Sequence, residues 1–527
     1  MPARKVLALI TLALALLLLA LAYITWPYGW DQGIYAWMGQ SIRSGGVPYL
    51  DAWDFKGPTA PYLFALAQTV FPDTPSGLRV FDLVMLAGAA AGTYALARRL
   101  FEDVASAACA SALLVLWYFA LGFWHTAQPD AWVSWLLVGG ALVALRSTSP
   151  WTLLAAGATL GAAVLLKPPY GVFGLPLLAF AVAPPRRHPV FRALVALGAG
   201  AAIVVGLVGL GFARAGALAE AAWSFLDYNL SVYGSPGPGA LAALVRRALE
   251  WLLHSRVLPA VLPFAALGWM SWRREGAVRV GLGAWAGGAL LVTVMQQKFY
   301  DYHILPALPP LALLAGHGIA QLWRARREPA NGSPPRRQLL ALGGAALVLL
   351  ILQLVVYSGY DVLRWAGRAS GRTSIESYLD GFGVAGAEYR VARFLGRTSS
   401  PGDSILVWGM NTGVLSMSHR SSWSRFGFNM PLVLLPDRVA SRRLRSEFQE
   451  AFARSRPHFI VVGEPHGLTG DAPPDTLDCG LAALIGREYA LRFSAGPLRV
   501  YQHDRAAYAL VPLAPAPCPA PRAEDRR

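Results

Sequence analysis

Residues 6–25, VLALITLALALLLLALAYIT, carry no charge, and residues 30–62, WDQGIYAWMGQSIRSGGVPYLDAWDFKGPTAPY, hold Asp31, Asp51, Asp54 and Lys56. About 20 consecutive apolar residues suffice for a helix that spans a bilayer. Asp31 therefore stands at the lip of the membrane. A carboxylate at that depth is unfavourable unless it is solvated or paired, which makes it a functional candidate. Trp26, Tyr28, Trp30, Tyr35 and Trp37 are residues that favour headgroup depth, so an interfacial belt accounts for the aromatics. It accounts for neither the acids nor the lysine. The MPARK start resembles a signal peptide, but the length of the run and the lack of a small-residue cleavage site point to an uncleaved anchor.

Outward from this stretch, the composition gives the class. Of 527 residues, 55% are hydrophobic and 14% are charged, against about 25% charged in soluble domains. Eleven apolar runs of spanning length follow one another: 6–27, 80–97, 104–124, 131–147, 151–167, 170–184, 192–213, 257–272, 279–296, 304–323 and 338–357. Segment 59–72 is too short and Pro-flanked, and reads as an interfacial or re-entrant helix. The net charge of +16 does not indicate nucleic acid, because many arginines sit in short clusters between apolar runs, as in cytoplasmic loops. Alternating the loops from a cytoplasmic N-terminus puts 28–79, 125–130, 167–169, 214–256, 297–303 and everything after 358 outside the cytoplasm. There are four lysines against 42 arginines, and the three internal ones, Lys56, Lys167 and Lys298, all fall on that external face.

Residues 358–515 read as a second, extracytoplasmic α/β domain. PGDSILVWG and RPHFIVVGEP each feed a buried strand, Glu388–Leu395 and Ser441–Ala453 read as helices, and YALRFSAGPLRVYQH reads as a hairpin. Residues 516–527 form a Pro/Ala-rich tail expected to be disordered. Cys109, Cys479 and Cys518 show no ligand spacing; a Cys479–Cys518 bridge is open to an oxidising compartment.

Four external loops carry more polar chemistry than a connector needs. They are WDQGIY…DAWDFKGP, FWHTAQPDAW (123–132) with Asp130, LLKPPYG (165–171) with Lys167, and QQKFYDYHILPALPP (296–310) with Lys298, Tyr300, Asp301 and His303. Each has a plainer explanation. Asp31 and Asp130 suit helix caps, and Lys167 and Lys298 suit anchors that snorkel to the interface. His125 and His303 suit polar interfacial positions, and no spacing such as HxxxH supports a metal. Taken together, carboxylates, lysines, tyrosines and a histidine on one face suit acid–base chemistry on a phosphate-bearing lipid. A carboxylate accepts a proton from an attacking hydroxyl, and lysines hold a departing phosphate.

An acid directly after the first span, a long first external loop, Lys at KPPYG, KFYDYHILPALPPLALL near a later span and a trailing external α/β domain resemble the GT-C superfamily. Within it the chain is similar to family-39-type bacterial glycosyltransferases, relatives of protein O-mannosyltransferases and of the transferase that adds aminoarabinose to lipid A. The resemblance covers roughly residues 1–325. It implies a GT-C fold with about 11 transmembrane helices over 1–357, and a polyprenyl-phosphate-linked sugar as donor. It also implies inverting transfer to a glycan, lipid or protein acceptor outside the cytoplasm, in the inner membrane. Carried over, Asp31 is the catalytic base and Asp130 the second acid. Lys56 meets the donor phosphate, and Lys298 and His303 belong to the phosphate or sugar pocket with Tyr300, Asp54 and Lys167. The mannosyltransferases carry Asp–Glu where this chain has Asp31–Gln32, which argues against protein mannosylation. The acidic motifs of metal-dependent oligosaccharyltransferases are not found, so no metal or other cofactor is implied. A lipid-linked precursor transporter and a non-catalytic envelope assembly protein are the alternatives. A transporter built on inverted repeats would show two similar halves, and no internal repeat is seen.

Overall fold

The structure is a computed structural model that describes residues 3–147, 149–184, 188–233, 240–273, 276–327, 343–344, 348, 351–353, 355–433, 439–463 and 479–504. Its first fourteen helices are α1 (Ala3–Ile24), α2 (Trp30–Arg43), α3 (Thr59–Val70), α4 (Pro75–Phe101), α5 (Val104–Ala120), α6 (Pro129–Arg146), α7 (Pro150–Leu166), α8 (Gly174–Ala181), α9 (Val190–Arg214), α10 (Leu218–Ala222), α11 (Ala240–His254), α12 (Leu258–Ser271), α13 (Ala277–Gln296) and α14 (Leu308–Arg327). Tight 3-10 turns cover Pro168–Phe173 and Asp301–Ala307. The chain divides into two compact units.

The first unit is Met1–Pro27, Lys56–Leu218 and Pro236–Thr373. Among the described residues four helices are long and apolar enough to cross a membrane, Pro75–Phe101, Val190–Arg214, Ala277–Gln296 and Asp301–Arg326. A fifth counts if Ala242–His254 and Leu258–Ser271, bent by 87°, make one span. The run read at 338–357 lies largely outside the described residues. Helices approach closely where glycine removes the side chain. A Cβ on Gly157 of α7 would lie 2.1 Å from the Leu197 carbonyl of α9, and one on Gly268 of α12 would lie 1.8 Å from the Leu314 carbonyl of α14. Small-residue contacts of this kind supply packing where lipid offers no hydrophobic gain.

The helix α4 begins at Pro75, capped by Thr74, five residues before the span expected at 80. Two charged residues that would end an apolar run are inside it, because they are paired. Arg79 and Asp82 are wholly buried. Tyr23, Tyr118 (2.8 Å) and Trp132 (2.6 Å) donate to Asp82. Arg79 donates to the Tyr23 hydroxyl, to Thr126 and to the carbonyls of Pro27 and Phe123. A buried charge persists only with such partners. This network ties α1, α4, α5 and α6 to the 121–128 turn, where the Ala127 amide donates to the Tyr118 hydroxyl at 2.7 Å.

The second unit is Tyr28–Phe55, Ala219–Ser235 and Ser374–Arg527. The loop read as one piece, 28–79, thus divides between the units at residues 55 and 56. A four-stranded mixed sheet has the order β1-β2-β4-β3, with β1 (Ile405–Trp408), β2 (Phe459–Val462), β3 (Tyr489–Ala495) and β4 (Leu498–His503). The strands β1 and β2 are parallel and all but the last residue of β2 is buried, as their unbroken apolar runs require. The hairpin β3–β4 turns at Gly496, φ 52°, the left-handed conformation that favours glycine in two-residue turns. Helices cover Ala385–Thr398 and Val439–Arg454. Arg425 binds Glu447, Glu220 and the Tyr49 carbonyl, which joins three separate chain segments. Its guanidinium is therefore occupied within the unit. Cys518 and the tail 516–527 lie outside the described residues.

Candidate active site

In the first unit the predicted residues from four loops converge. Asp130 lies in the first turn of α6, whose N-cap position is Gln128. It is therefore not a cap, and its side chain faces the bundle, 3% exposed. Lys167 ends α7, and instead of snorkelling it donates to Asp130 Oδ1 at 2.7 Å and to Gln296 Oε1 at 2.8 Å. Tyr170, from the turn forced by Pro168 and Pro169, donates to the same carboxylate oxygen. The Lys167 ammonium also sits 5.4 Å over the Tyr302 ring and 5.8 Å over the Tyr170 ring, within the range of a cation–π contact.

Lys56 arrives by a close approach. A Cβ on Gly57 would lie 1.9 Å from the Leu165 carbonyl, so only glycine lets the chain pass over the end of α7. Thr59 fixes the pass by donating to the Ala162 carbonyl at 2.9 Å. On the far side, Lys298 sits between two residues of left-handed backbone, Gln297 (φ 56°) and Phe299 (φ 53°). Such conformations cost on the order of 1–3 kcal/mol each in non-glycine residues and tend to persist at functional sites. Burial first, and then Arg247, hold the Lys298 ammonium below the usual lysine range.

The lysines among these groups act on His303. It is 3% exposed, packed edge-on to Tyr302 at 4.6 Å and near Tyr300 at 5.4 Å. Lys56, His125, Lys167 and Lys298 all act on it electrostatically. Its Nδ1 is buried and has no hydrogen-bond partner among the described residues. The arrangement gathers four basic side chains near His303, with one carboxylate, Asp130, held by Lys167 and Tyr170. Chemically it suits an anion with hydroxyl groups nearby. No group of three or more His, Cys, Asp or Glu among the described residues is placed to hold a metal ion.

Asp31 and Asp54 belong to the second unit. The helix α2 starts at Trp30 with Gly29 as N-cap, so Asp31 sits in the first turn and is not the cap; Gln32 supplies the cap contact by accepting from the Gly29 amide at 2.8 Å. A negative charge there is favoured by the helix dipole. Asp31 is half-buried. Asp54 is 1% exposed, accepts from the Phe55 amide at 2.7 Å, and lies near Tyr228, whose hydroxyl burial and Asp54 push well up in pKa. Sequence reading missed Tyr170, Gln296, Arg79 and Asp82. Tyr170 and Gln296 flank named lysines, but an uncharged side chain in an apolar setting carries no signal of its own. Arg79 and Asp82, three apart on one helix, were the detectable pair.

The family model described as dolichyl-phosphate-mannose-protein mannosyltransferase matches residues 55–210. The undecaprenyl phosphate-alpha-4-amino-4-deoxy-L-arabinose arabinosyl transferase of Pseudomonas aeruginosa (strain LESB58) is 30% identical over 354 residues, 61% of this chain and 60% of that protein. Its namesake in Pseudomonas paraeruginosa is 30% identical over 356 residues, with the same coverage. The match thus spans 60% of the length of these curated relatives. In fold, the chain is similar to the crystal structure of ArnT from Cupriavidus metallidurans bound to undecaprenyl phosphate. The TM-score is 0.60 at 15% identity, covering 96% of this chain and 100% of that one.

Proposed function

We propose that this chain, a GT-C protein related to undecaprenyl phosphate-alpha-4-amino-4-deoxy-L-arabinose arabinosyl transferase, is a membrane glycosyltransferase. It takes a sugar from a polyprenyl-phosphate donor and passes it to a hydroxyl-bearing glycan, lipid or protein outside the cytoplasm, in a bacterial inner membrane. The observation that carries this reading is the convergence of Lys56, His125, Lys167 and Lys298 on the buried His303. A phosphate is the anion such a cluster of lysines suits, since lysines act as point charges toward it.

In this reading Asp31 removes the proton of the acceptor hydroxyl as its oxygen attacks the anomeric carbon. The bond from that carbon to the phosphate oxygen breaks, and the electron pair leaves on the polyprenyl phosphate. Lys56 and Lys298 stabilise that charge, which is the effect electrostatic preorganisation supplies. A single displacement inverts the anomeric centre. Asp130 faces the oxocarbenium-like transition state, held by Lys167 and Tyr170, and His303 and Tyr300 contact the sugar. Eleven spans with the α/β domain outside remain our reading of the topology.

Native mass spectrometry of the detergent-purified chain with undecaprenyl phosphate tests this directly. Retained specific binding in the wild type, lost in Lys56→Ala and Lys298→Ala, is the expected result. Wild-type binding no stronger than that of a generic phospholipid would overturn the reading. Asp31→Asn is expected to bind normally and to lose a factor on the order of 10²–10⁴ in turnover.

A further inference from the structure

We infer that the segment following β1, through Gly413 and Ser416 of the short helix Gly413–Ser418 and through Gly427, positions Asp31 for the reaction; this rests on the reading of Asp31 as base. The sequence placed the segment carrying Asp31 beside the first span, as part of the membrane region. In the structure, residues 28–55 belong to the same compact unit as the C-terminal domain. The helix α2 is docked there along one stripe, Gly33, Trp37 and Gln40, positions that share a helix face.

Each contact on that stripe is close and specific. Gly33 lies backbone to backbone against the domain: a Cβ at this position would sit 2.6 Å from the Gly413 amide nitrogen and 2.8 Å from the Gly413 Cα. The Trp37 ring covers Gly427, where a Cβ would lie 2.6 Å from the ring. Thr412 holds that segment by donating to the Gly427 carbonyl at 2.7 Å. Gln40 Nε2 donates to the Ser416 carbonyl at 3.0 Å and to its hydroxyl at 3.1 Å. The surface so met is itself fixed from below. Asn411 donates to the buried Glu388 at 2.7 Å, and a Cβ on Gly413 would lie 3.4 Å from Glu388 Oε2.

Asp31 is two residues from Gly33, about 3 Å along the helix axis. Any movement at the Gly33–Gly413 contact therefore reaches Asp31 almost undiminished. Ordinary contact begins near 3.4 Å, so a methyl at Gly33 displaces the first turn of α2 by roughly 1 Å. A base misplaced by that distance loses up to about 100-fold in rate. Gly413, Ser416 and Gly427 are thus positioning residues, acting through α2.

The test uses the full chain in lipid nanodiscs. Gly33→Ala, Gln40→Leu and Asp31→Asn are compared with wild type in three measurements. These are amide exchange across 30–43, the dissociation constant for undecaprenyl phosphate, and release of undecaprenyl phosphate from its 4-amino-4-deoxy-L-arabinose conjugate as the sugar passes to a hydroxyl of added lipid A. In Gly33→Ala we expect exchange in α2 to rise at least tenfold, release to fall at least tenfold, and undecaprenyl phosphate binding to stay within twofold. Gln40→Leu gives a smaller change in the same sense and serves if Gly33→Ala does not fold. Asp31→Asn alone leaves α2 exchange unchanged. Combining Gly33→Ala with Asp31→Asn adds no further loss of release, since no base is left to position; a merely structural contact would add its loss. Unchanged α2 exchange in both contact variants overturns the inference, as does full release by a loosened α2. Absence of release by the wild type counts against the transferase reading, and the exchange arm then decides the contact by itself.

Discussion

Replacing Lys167 with methionine removes the amine from a carboxylate that the fold has buried. Lys167 and Asp130 are 2.7 Å apart, with side chains 16% and 5% exposed. In Lys167→Met, Asp130 keeps the Tyr170 hydroxyl but loses the cation that partners it. Breaking a buried pair from one side costs about 3–5 kcal/mol. The lost bond to Gln296 and the two ring contacts add about 1–2 kcal/mol. At about 2 °C per kcal/mol for a unit of this size, the apparent unfolding midpoint should fall by roughly 8–14 °C. Asp130→Asn keeps an acceptor for both donors and should fall by less, about 2–4 °C. The decisive variant is the double one. With both charges gone it should recover at least half of the Lys167→Met loss, because the expensive species is the lone buried charge. Tryptophan fluorescence during heating of the purified protein gives all four midpoints. If the double variant lost the sum of the two single losses, the pair would contribute nothing as a pair, and the burial argument would be wrong.

Three further outcomes are expected. Gly57→Ala, whose new methyl would press on the Leu165 carbonyl, should weaken undecaprenyl phosphate binding at least tenfold by displacing Lys56; a dissociation constant within twofold of wild type, read by native mass spectrometry, would refute that path for the loop. Because burial and Arg247 lower the Lys298 pKa, its charge is lost as pH rises at a lower pH than for an ordinary lysine. Phosphate binding should therefore decline on the alkaline side, and Lys298→Arg should abolish that decline in a pH series of dissociation constants. Burial raises Glu388 from 4.5 to about 7, partly offset by Asn411. The folded state thus holds the proton more tightly than the unfolded state, so this stabilisation is full below pH 4.5 and is lost as pH rises through 7. The difference is about 3 kcal/mol, and Glu388→Gln should flatten it in midpoints measured from pH 4.5 to 8.

Much of the outline was written along the chain. Apolar runs marked helices, because a bilayer demands continuous hydrophobic length and says so in composition. The strands β1, β2 and the hairpin were legible in the same way: ILVW and FIVV are short buried runs between turn residues. The loops holding Asp130, Lys167, Lys298 and His303 stood out because charge is costly near apolar spans. What the sequence hid was pairing. Nothing along the chain marked Arg79 and Asp82 as partnered, and only Tyr23, Tyr118 and Trp132, from three other helices, show how Asp82 is held inside its helix bundle. Lys167 suited either an interfacial anchor or the phosphate pocket, and nothing in the sequence showed that Asp130 and Gln296 close on it.

The sequence by itself determined the class of molecule, the positions of most helices and which loops carry the charged residues, since hydropathy and charge are local properties of the chain. The tertiary structure alone decided which of those residues meet. It brought four loops around His303 and placed the Asp31 helix with the domain at the other end of the chain. The physical reason is that both outcomes depend on close backbone passage at Gly57 and Gly33. A glycine in a sequence says that a side chain is missing, and only the packed neighbour shows why.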